Sequence, residues 1–252
     1  MSRKVSFAEG EYYHIYNRGV EKRDVFLSDA DRLRLQNLLY LSNSKKHFNY
    51  RDIELGISRK KSSPSSPSLA SDKASFAEIV DFVDRGEPVV AIGAYCFMPN
   101  HFHLLVKEIR EGGISDYMQK ITTAYTKFFN KKYDRVGALF QNTFKAEHAD
   151  EDNYLKYLYA YIHLNPVKLT QPDWKETGIR NRDGALKALG TYSWSSYLDY
   201  RGNDRPEKAI LSSEEFPEHF PGSSDFSYMI NDWLEYHSEE DDNFGARVDD
   251  VA

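Results

Sequence analysis

Cysteine is almost missing from this chain. Cys96 is the single example among 252 residues, which excludes an internal disulfide and a cysteine-rich zinc site. Long apolar runs are missing too: the longest, 89–98, has ten residues, about half of what a membrane-spanning helix needs. The opening residues, MSRKVSFAEGEYYH, contain no apolar stretch of the secretory type, so no signal is expected. The cytoplasm is the expected compartment, with no membrane partner. An overall excess of basic charge is also lacking. The net charge of −6 argues at first sight against a nucleic-acid ligand.

That charge is unevenly spread. Residues 203–252 hold 14 acidic and 3 basic side chains, a net of −11, which leaves 30 basic against 25 acidic over the first 202 residues. A mildly basic body with an acidic tail is compatible with DNA without demanding it, and a tail that is merely solvated accounts for the count equally well. With 40% hydrophobic and 14% aromatic residues, a sizeable core is expected and global disorder is not.

Along the chain, YYHIYN at 12–17 reads as a strand ending in a turn at Arg18-Gly19. Ser28-Asp29 then caps a helix with Leu33, Leu35, Leu38, Leu39 and Leu41 as its apolar residues. Periodicity is lost over about 45–75, where SRKKSSPSSPSLASDKAS is low in complexity and is expected to be flexible. A short amphipathic helix follows at 76–83. Two strands at 89–97 and 101–107, joined by Met98-Pro99-Asn100, predict a hairpin. A helix over 114–133, a strand over 139–149, and a helix capped by Asp150 and stopped at Pro166 complete the pattern. The order β-α-(insert)-β-β-α-β-α predicts an α+β fold. It is a ferredoxin-like or RRM-like antiparallel sheet with helices packed on one face, one extra helix behind, and a helical C-terminal extension. The expected division is a catalytic domain at 1–169, with a flexible insert at about 45–88, and an extension with the acidic tail at 170–252.

His101-Phe102-His103 is the most informative tripeptide. Along a strand, alternate side chains share a face, so the two imidazoles point the same way about 7 Å apart by strand rise and can converge on one metal ion. The last helix carries Tyr154, Tyr157, Tyr159 and Tyr161, then His163 and Asn165-Pro166-Val167. Tyr161 and Asn165 are four apart and share a face. An amide oxygen can complete a coordination sphere that two imidazoles leave open. A phenol one turn away can attack a phosphate polarised by that ion. Taken alone, each motif has a plainer reading: two satisfied surface histidines, and an amphipathic helix with a tyrosine-rich core face.

Together, PNHFHLLVKE, the stretch MQKITTAYTKFFNKKYDRVGALFQNTFK and YLYAYIHLNPVK make the chain resemble the REP-associated tyrosine transposases, single-tyrosine HUH enzymes. YYHIYNRG and SWSSY add to the resemblance, which spans about 12–200 without the insert. It implies His101 and His103 as metal ligands, Asn165 as the polar third ligand and Tyr161 as nucleophile. Mg²⁺ or Mn²⁺ is the implied ion. Single-stranded or hairpin DNA is the implied partner, nicked through a 5′-phosphotyrosine with a free 3′-hydroxyl, and a homodimer is a possible assembly. The long insert and the acidic tail depart from the family pattern.

Arg18, Lys22, Arg135 and Lys145 are the candidate DNA-binding residues, with Arg23, Lys127, Lys131 and Lys132 further candidates for phosphate contacts. Tyr125, Phe128 and Phe144 are candidate base-stacking residues. Three rival readings compete with the transposase. A hairpin binder that no longer cuts is opposed by the intact His101, His103, Tyr161 and Asn165. A ferredoxin-like RNA-binding module is disfavoured because no strand carries the expected Lys/Arg-Gly-aromatic run. A metal-dependent hydrolase that uses water would leave no covalent adduct.

Overall fold

The structure, a computed structural model, describes residues 5–61 and 74–235; the end of the acidic tail and the SSPSSPSLA stretch lie outside them. Four strands form one antiparallel sheet: β1 Tyr12–Arg18, β2 Val90–Met98, β3 His101–Glu108 and β4 Lys145–His148, in the order β2-β3-β1-β4. This is the order of a split βαβ sandwich, as the sequence pattern predicts.

Alternation along the strands divides the core into two layers. Tyr13, Ile15, Phe97, Phe102, Leu104 and Val106 point to one face. There they meet α1 Asp29–Ser42 through Leu35, Leu38 and Leu39, and α4 Gly113–Lys132 through Tyr117, Ile121, Tyr125 and Phe129. The apolar residues of α4 recur at three- and four-residue spacing, which places them on one stripe of a helix. Buried Glu108, at the end of β3, accepts the Ile114 amide at 2.7 Å and so satisfies a free N–H of the first turn of α4. Ala94, Cys96, Met98 and Leu105 point to the opposite face, where the extra helix α5, Asp152–Leu164, lies with Tyr154, Leu155, Leu158, Tyr161 and Ile162.

Gly93 keeps β2 in phase with both layers. The register slips between Ile92 and Ala94, so one added residue moves Ala94, Cys96 and Met98 to the α5 side. A Cβ at Gly93 would lie 2.7 Å from the Phe216 ring and 2.9 Å from the Tyr159 hydroxyl, so only glycine fits the bulge there.

Several boundaries differ from the sequence expectation. The stretch expected to be irregular contains α2, Tyr50–Lys61, and α3 occupies Phe76–Phe82, closed at its start by a reciprocal Ser75–Glu78 capping box. Ile53 and Ile57 of α2 are buried, and Lys61 reaches Glu78 at 2.6 Å, so a two-residue apolar face was enough for a helix that shows weak periodicity. The strand expected over 139–149 is paired only at Lys145–His148, with a single bridge from Phe140 to Gly19. Asp150 does not cap α5. Glu151 holds the cap position with no side-chain hydrogen bond, and the helix begins at Asp152. Pro166 does not stop the chain's winding either: the helix passes into a 3₁₀ turn over Asn165–Leu169, where proline is tolerated near the first position.

Beyond Leu169 come α6 Trp174–Thr177, α7 Arg182–Thr191, α8 Tyr197–Tyr200 and α9 Ser223–Glu235. Ala185, Leu189, Tyr197, Phe226, Ile230 and Leu234 close on Ala160, Leu164 and Val167, on the side of α5 away from the sheet. The SWSSY stretch pairs with the β2 edge: the Phe97 amide donates to Trp194 and the Ser196 amide to Tyr95. An open strand edge is thereby covered. No helix among the described residues is long and apolar enough to cross a membrane.

Candidate active site

The two-residue turn Pro99-Asn100 sets His101 at the start of β3. The turn is anchored from outside, because the Val25 amide donates to the Pro99 carbonyl and the Gly19 amide to that of Asn100. His101 and His103 share the face turned toward α5, with ring centroids 4.9 Å apart and planes at 89°. His101 Nδ1 lies 2.6 Å from Asn100 Oδ1, an arrangement that leaves Nε2 as the outward nitrogen. His103 is fully buried and its Nε2 has no hydrogen-bond partner.

From the facing helix, Tyr161 presents its ring edge-on to His103 at 5.4 Å and to His14 at 5.7 Å. One turn later, Asn165 Nδ2 donates to the Tyr161 carbonyl at 2.8 Å. A carbonyl can only accept, so the amide nitrogen must face it and Oδ1 must face the other way. Oδ1 is buried without a full hydrogen bond, although the amide lies close enough to His101 to favour its protonation.

The electrostatics make these imidazoles neutral. Burial, with Lys168 and Arg18 nearby, pushes His101 down to about 3. Burial and the neighbouring His101 and His14 push His103 well below its ordinary range. A neutral imidazole is the form that donates a lone pair to a metal. Among the described residues no three His, Cys, Asp or Glu side chains form a metal-binding group. A third donor for an ion held by the two histidines would come from another residue type. The unpartnered His103 Nε2 and Asn165 Oδ1, beside His101, are donors that Mg²⁺ or Mn²⁺ accepts, so the residues present fit such an ion.

The other predicted residues are placed unequally. Arg18 stands opposite His101 in the β1–β3 register. Lys145 pairs with Tyr16 and holds its ammonium 5.7 Å from that ring, which is itself 6.1 Å from His103. Arg18 is thus on the strand beside His101 and His103, and Lys145 is one strand further out. Lys22 is exposed in the turn next to Asn100, with its backbone at φ 60°. Arg135 is not brought to the site: it bonds Asn130 and lies over Phe129, in the layer on the other side of the sheet. Tyr125 and Phe144 belong to that same core layer rather than to a stacking surface.

Sequence reasoning missed two features. His14, inside YYHIYNRG, is fully buried against His103. Its position two residues before Tyr16 was a usable signal, since β1 alternates, but the register that brings it to His103 was not visible. Lys175, from α6, sets its ammonium 4.2 Å from the Tyr161 ring centre. Nothing in its local sequence marks it.

Residues 73–165 match the family model described as "Transposase IS200 like". A solved structure described as "Structure of the REP associates tyrosine transposase bound to a REP hairpin" is similar at 12% identity and a TM-score of 0.41, covering 82% of this chain and 90% of that one. No curated protein matches the chain. The family match takes in β2, β3, α4, β4 and α5, hence His101, His103, Tyr161 and Asn165, and ends at Asn165 itself. Over residues 73–165, then, this chain is similar to the IS200-like transposases.

Proposed function

We propose that the chain nicks and rejoins single-stranded DNA beside hairpins, with Tyr161 as nucleophile and His101, His103 and Asn165 as ligands for Mg²⁺ or Mn²⁺. One observation carries the reading. The Tyr161 ring sits 5.4 Å from that of His103, beside two buried donor atoms, His103 Nε2 and Asn165 Oδ1, that lack partners. Buried polar atoms are ordinarily satisfied, and lone-pair atoms left over beside a phenol offer a divalent ion its ligands. The family match to 73–165 supports the class of chemistry, and the motif resemblance supports the hairpin partner.

The Tyr161 hydroxyl oxygen attacks the scissile phosphorus. The bond from phosphorus to the 3′-oxygen breaks, the phenol proton passes to that oxygen, and the strand on the 3′ side of the cut stays on Tyr161 through its 5′-phosphate. A 3′-hydroxyl attacking the same phosphorus reverses the step, so the phosphodiester's energy is retained. A bound Mg²⁺ or Mn²⁺ supplies charge stabilisation on the phosphate oxygens. Lys175, 4.2 Å from the Tyr161 ring centre, sets a positive charge beside the attacking phenol. Arg18, on β1 next to the histidine strand, and Lys145, on β4 one strand further out, hold flanking phosphates.

The test is incubation with a hairpin-bearing single strand labelled on the 3′ side of the cut, with Mn²⁺, followed by a denaturing gel. A protein–DNA adduct that disappears in Tyr161→Phe and in EDTA is expected. Undiminished nicking in EDTA overturns the metal role, and nicking without any adduct favours a hydrolase that uses water.

A further inference from the structure

We infer that His14 is the positioning residue for His103, the partner that decides which nitrogen of His103 is free to bind a metal. The inference rests on the proposed ligand role of His103. His14 stands in β1, outside the segment matched by the transposase family, and is fully buried. Its Nε2 lies 2.9 Å from His103 Nδ1, and the two rings are nearly coplanar, with centroids 5.1 Å apart and planes 13° from parallel.

A hydrogen bond between two neutral imidazoles holds one proton, and it can be placed in two ways. If His14 Nε2 carries it, His103 must bear its own proton on Nε2 and has no lone pair to offer there. If His103 Nδ1 carries it, His103 Nε2 is bare and His14 bears its proton on Nδ1. Only the second arrangement makes His103 a ligand. His14 then accepts from His103, fixes the rotation of the ring and raises the basicity of the ligating nitrogen.

The unpaired atoms agree with that role. His14 Nδ1 and His103 Nε2, the nitrogens not used in that bond, are both buried without a partner. An apolar ring would fill the same space without leaving either. A cation on Nε2 satisfies one of them and draws the pair into the ligating tautomer. His163 provides the contrast. Its Nδ1 meets the Tyr159 carbonyl at 2.8 Å and its Nε2 meets Ser196 Oγ at 2.7 Å, so both nitrogens are used and nothing is left for a ligand.

Two variants of the full chain separate hydrogen bond from packing. His14→Phe keeps an aromatic ring in the same space and removes the acceptor; His14→Gln removes the ring and keeps an oxygen that can accept from Nδ1–H. Mn²⁺ is titrated without DNA, free ion being read by electron paramagnetic resonance, and circular dichroism reports folding. His14→Phe should weaken Mn²⁺ binding by about 10–100-fold, the range for loss of such a supporting partner, with His14→Gln close to wild type. Wild-type affinity in a folded His14→Phe overturns the inference, as does a His14→Gln as weak as His14→Phe. Long-range ¹H–¹⁵N spectra of the wild-type chain with Mg²⁺ give a test independent of any variant. His103 protonated at Nδ1 is expected, and protonation at Nε2 overturns the role. A wild-type chain that binds no Mn²⁺ removes the metal reading itself, and the role of His14 with it.

Discussion

Tyr125 and Tyr161 show how far placement outweighs residue type. Both are tyrosines on helices with an asparagine nearby, at five residues for Tyr125 and four for Tyr161. Helix geometry separates the first pair by about 140° and the second by about 40°. The tertiary structure widens that difference. The Tyr125 hydroxyl donates to the Val25 carbonyl inside the layer of α1 and α4, and burial raises its pKa, whereas Tyr161 faces the histidines across the other side of the sheet. Tyr125→Phe is therefore expected to cost about 1 kcal/mol of stability through one lost hydrogen bond while leaving any covalent adduct on Tyr161. Denaturant titration and peptide mapping of the adduct measure the two effects, and an adduct mapped to Tyr125 would reverse the assignment. Replacing His101 with alanine should abolish cleavage and leave the melting profile close to wild type, because its side chain sits at a strand start beside the turn. Retained nicking in that variant would remove His101 from the ligand set.

At the level of elements, α1 is the one whose anchoring is most exposed to a single change. Ser28, the expected cap, forms a capping box with Asp31, but Asp31 does more than cap. It is fully buried and accepts from the Leu27 and Ser28 amides, from Lys132 at the end of α4 and from the Tyr133 hydroxyl. One carboxylate thus ties two helices of the same layer. Burial alone would push its pKa up; the bonds from Lys132, Tyr133 and Leu27 outweigh that and hold it below the ordinary carboxylate range. A depressed folded pKa means that its stabilisation is present above the unfolded value, about 4, and is lost as the pH falls through the folded one. Asp31→Ala should lower stability at pH 7 by roughly 1–3 kcal/mol, through unsatisfied donors. That difference from wild type should shrink at pH 3 in urea titrations. A difference independent of pH would assign the loss to packing instead of charge.

The molecule as a whole joins a basic body to an acidic C-terminal stretch. Residues 239–252 carry six acidic side chains and one basic, and they lie outside the described structure, so only their charge enters the argument. Long-range repulsion from such a segment opposes nonspecific contact with phosphates. Removing 239–252 should tighten binding to random single strands at low salt, and the gain should fade as the Debye length shortens to about 8 Å at physiological ionic strength. Fluorescence anisotropy across a salt series measures this, and equal affinity at low salt would make the segment merely solvated.

Local periodicity determined much of the outcome. The period-two alternation of β1 and β3, the turn at Pro99-Asn100 and the three- and four-residue spacing of α4 and α5 belong to short stretches, so the sheet with its helices could be read from the sequence, and so could the facing of His101 with His103 and of Tyr161 with Asn165. Helix α2 escaped notice because only Ile53 and Ile57 mark its buried side. What the tertiary structure decided depends on pairing between distant residues. The β1–β3 register sets Tyr16 against His103 and thereby His14 beside it; the Gly93 bulge directs Cys96 and Met98 toward α5; and the packing of the C-terminal helices brings Lys175 to Tyr161 while Arg135 stays in the other layer. Sequence spacing records which residues share a face. Which faces meet is set by the burial of all of them together, since a one-residue slip in register would turn every side chain of a strand into the opposite layer.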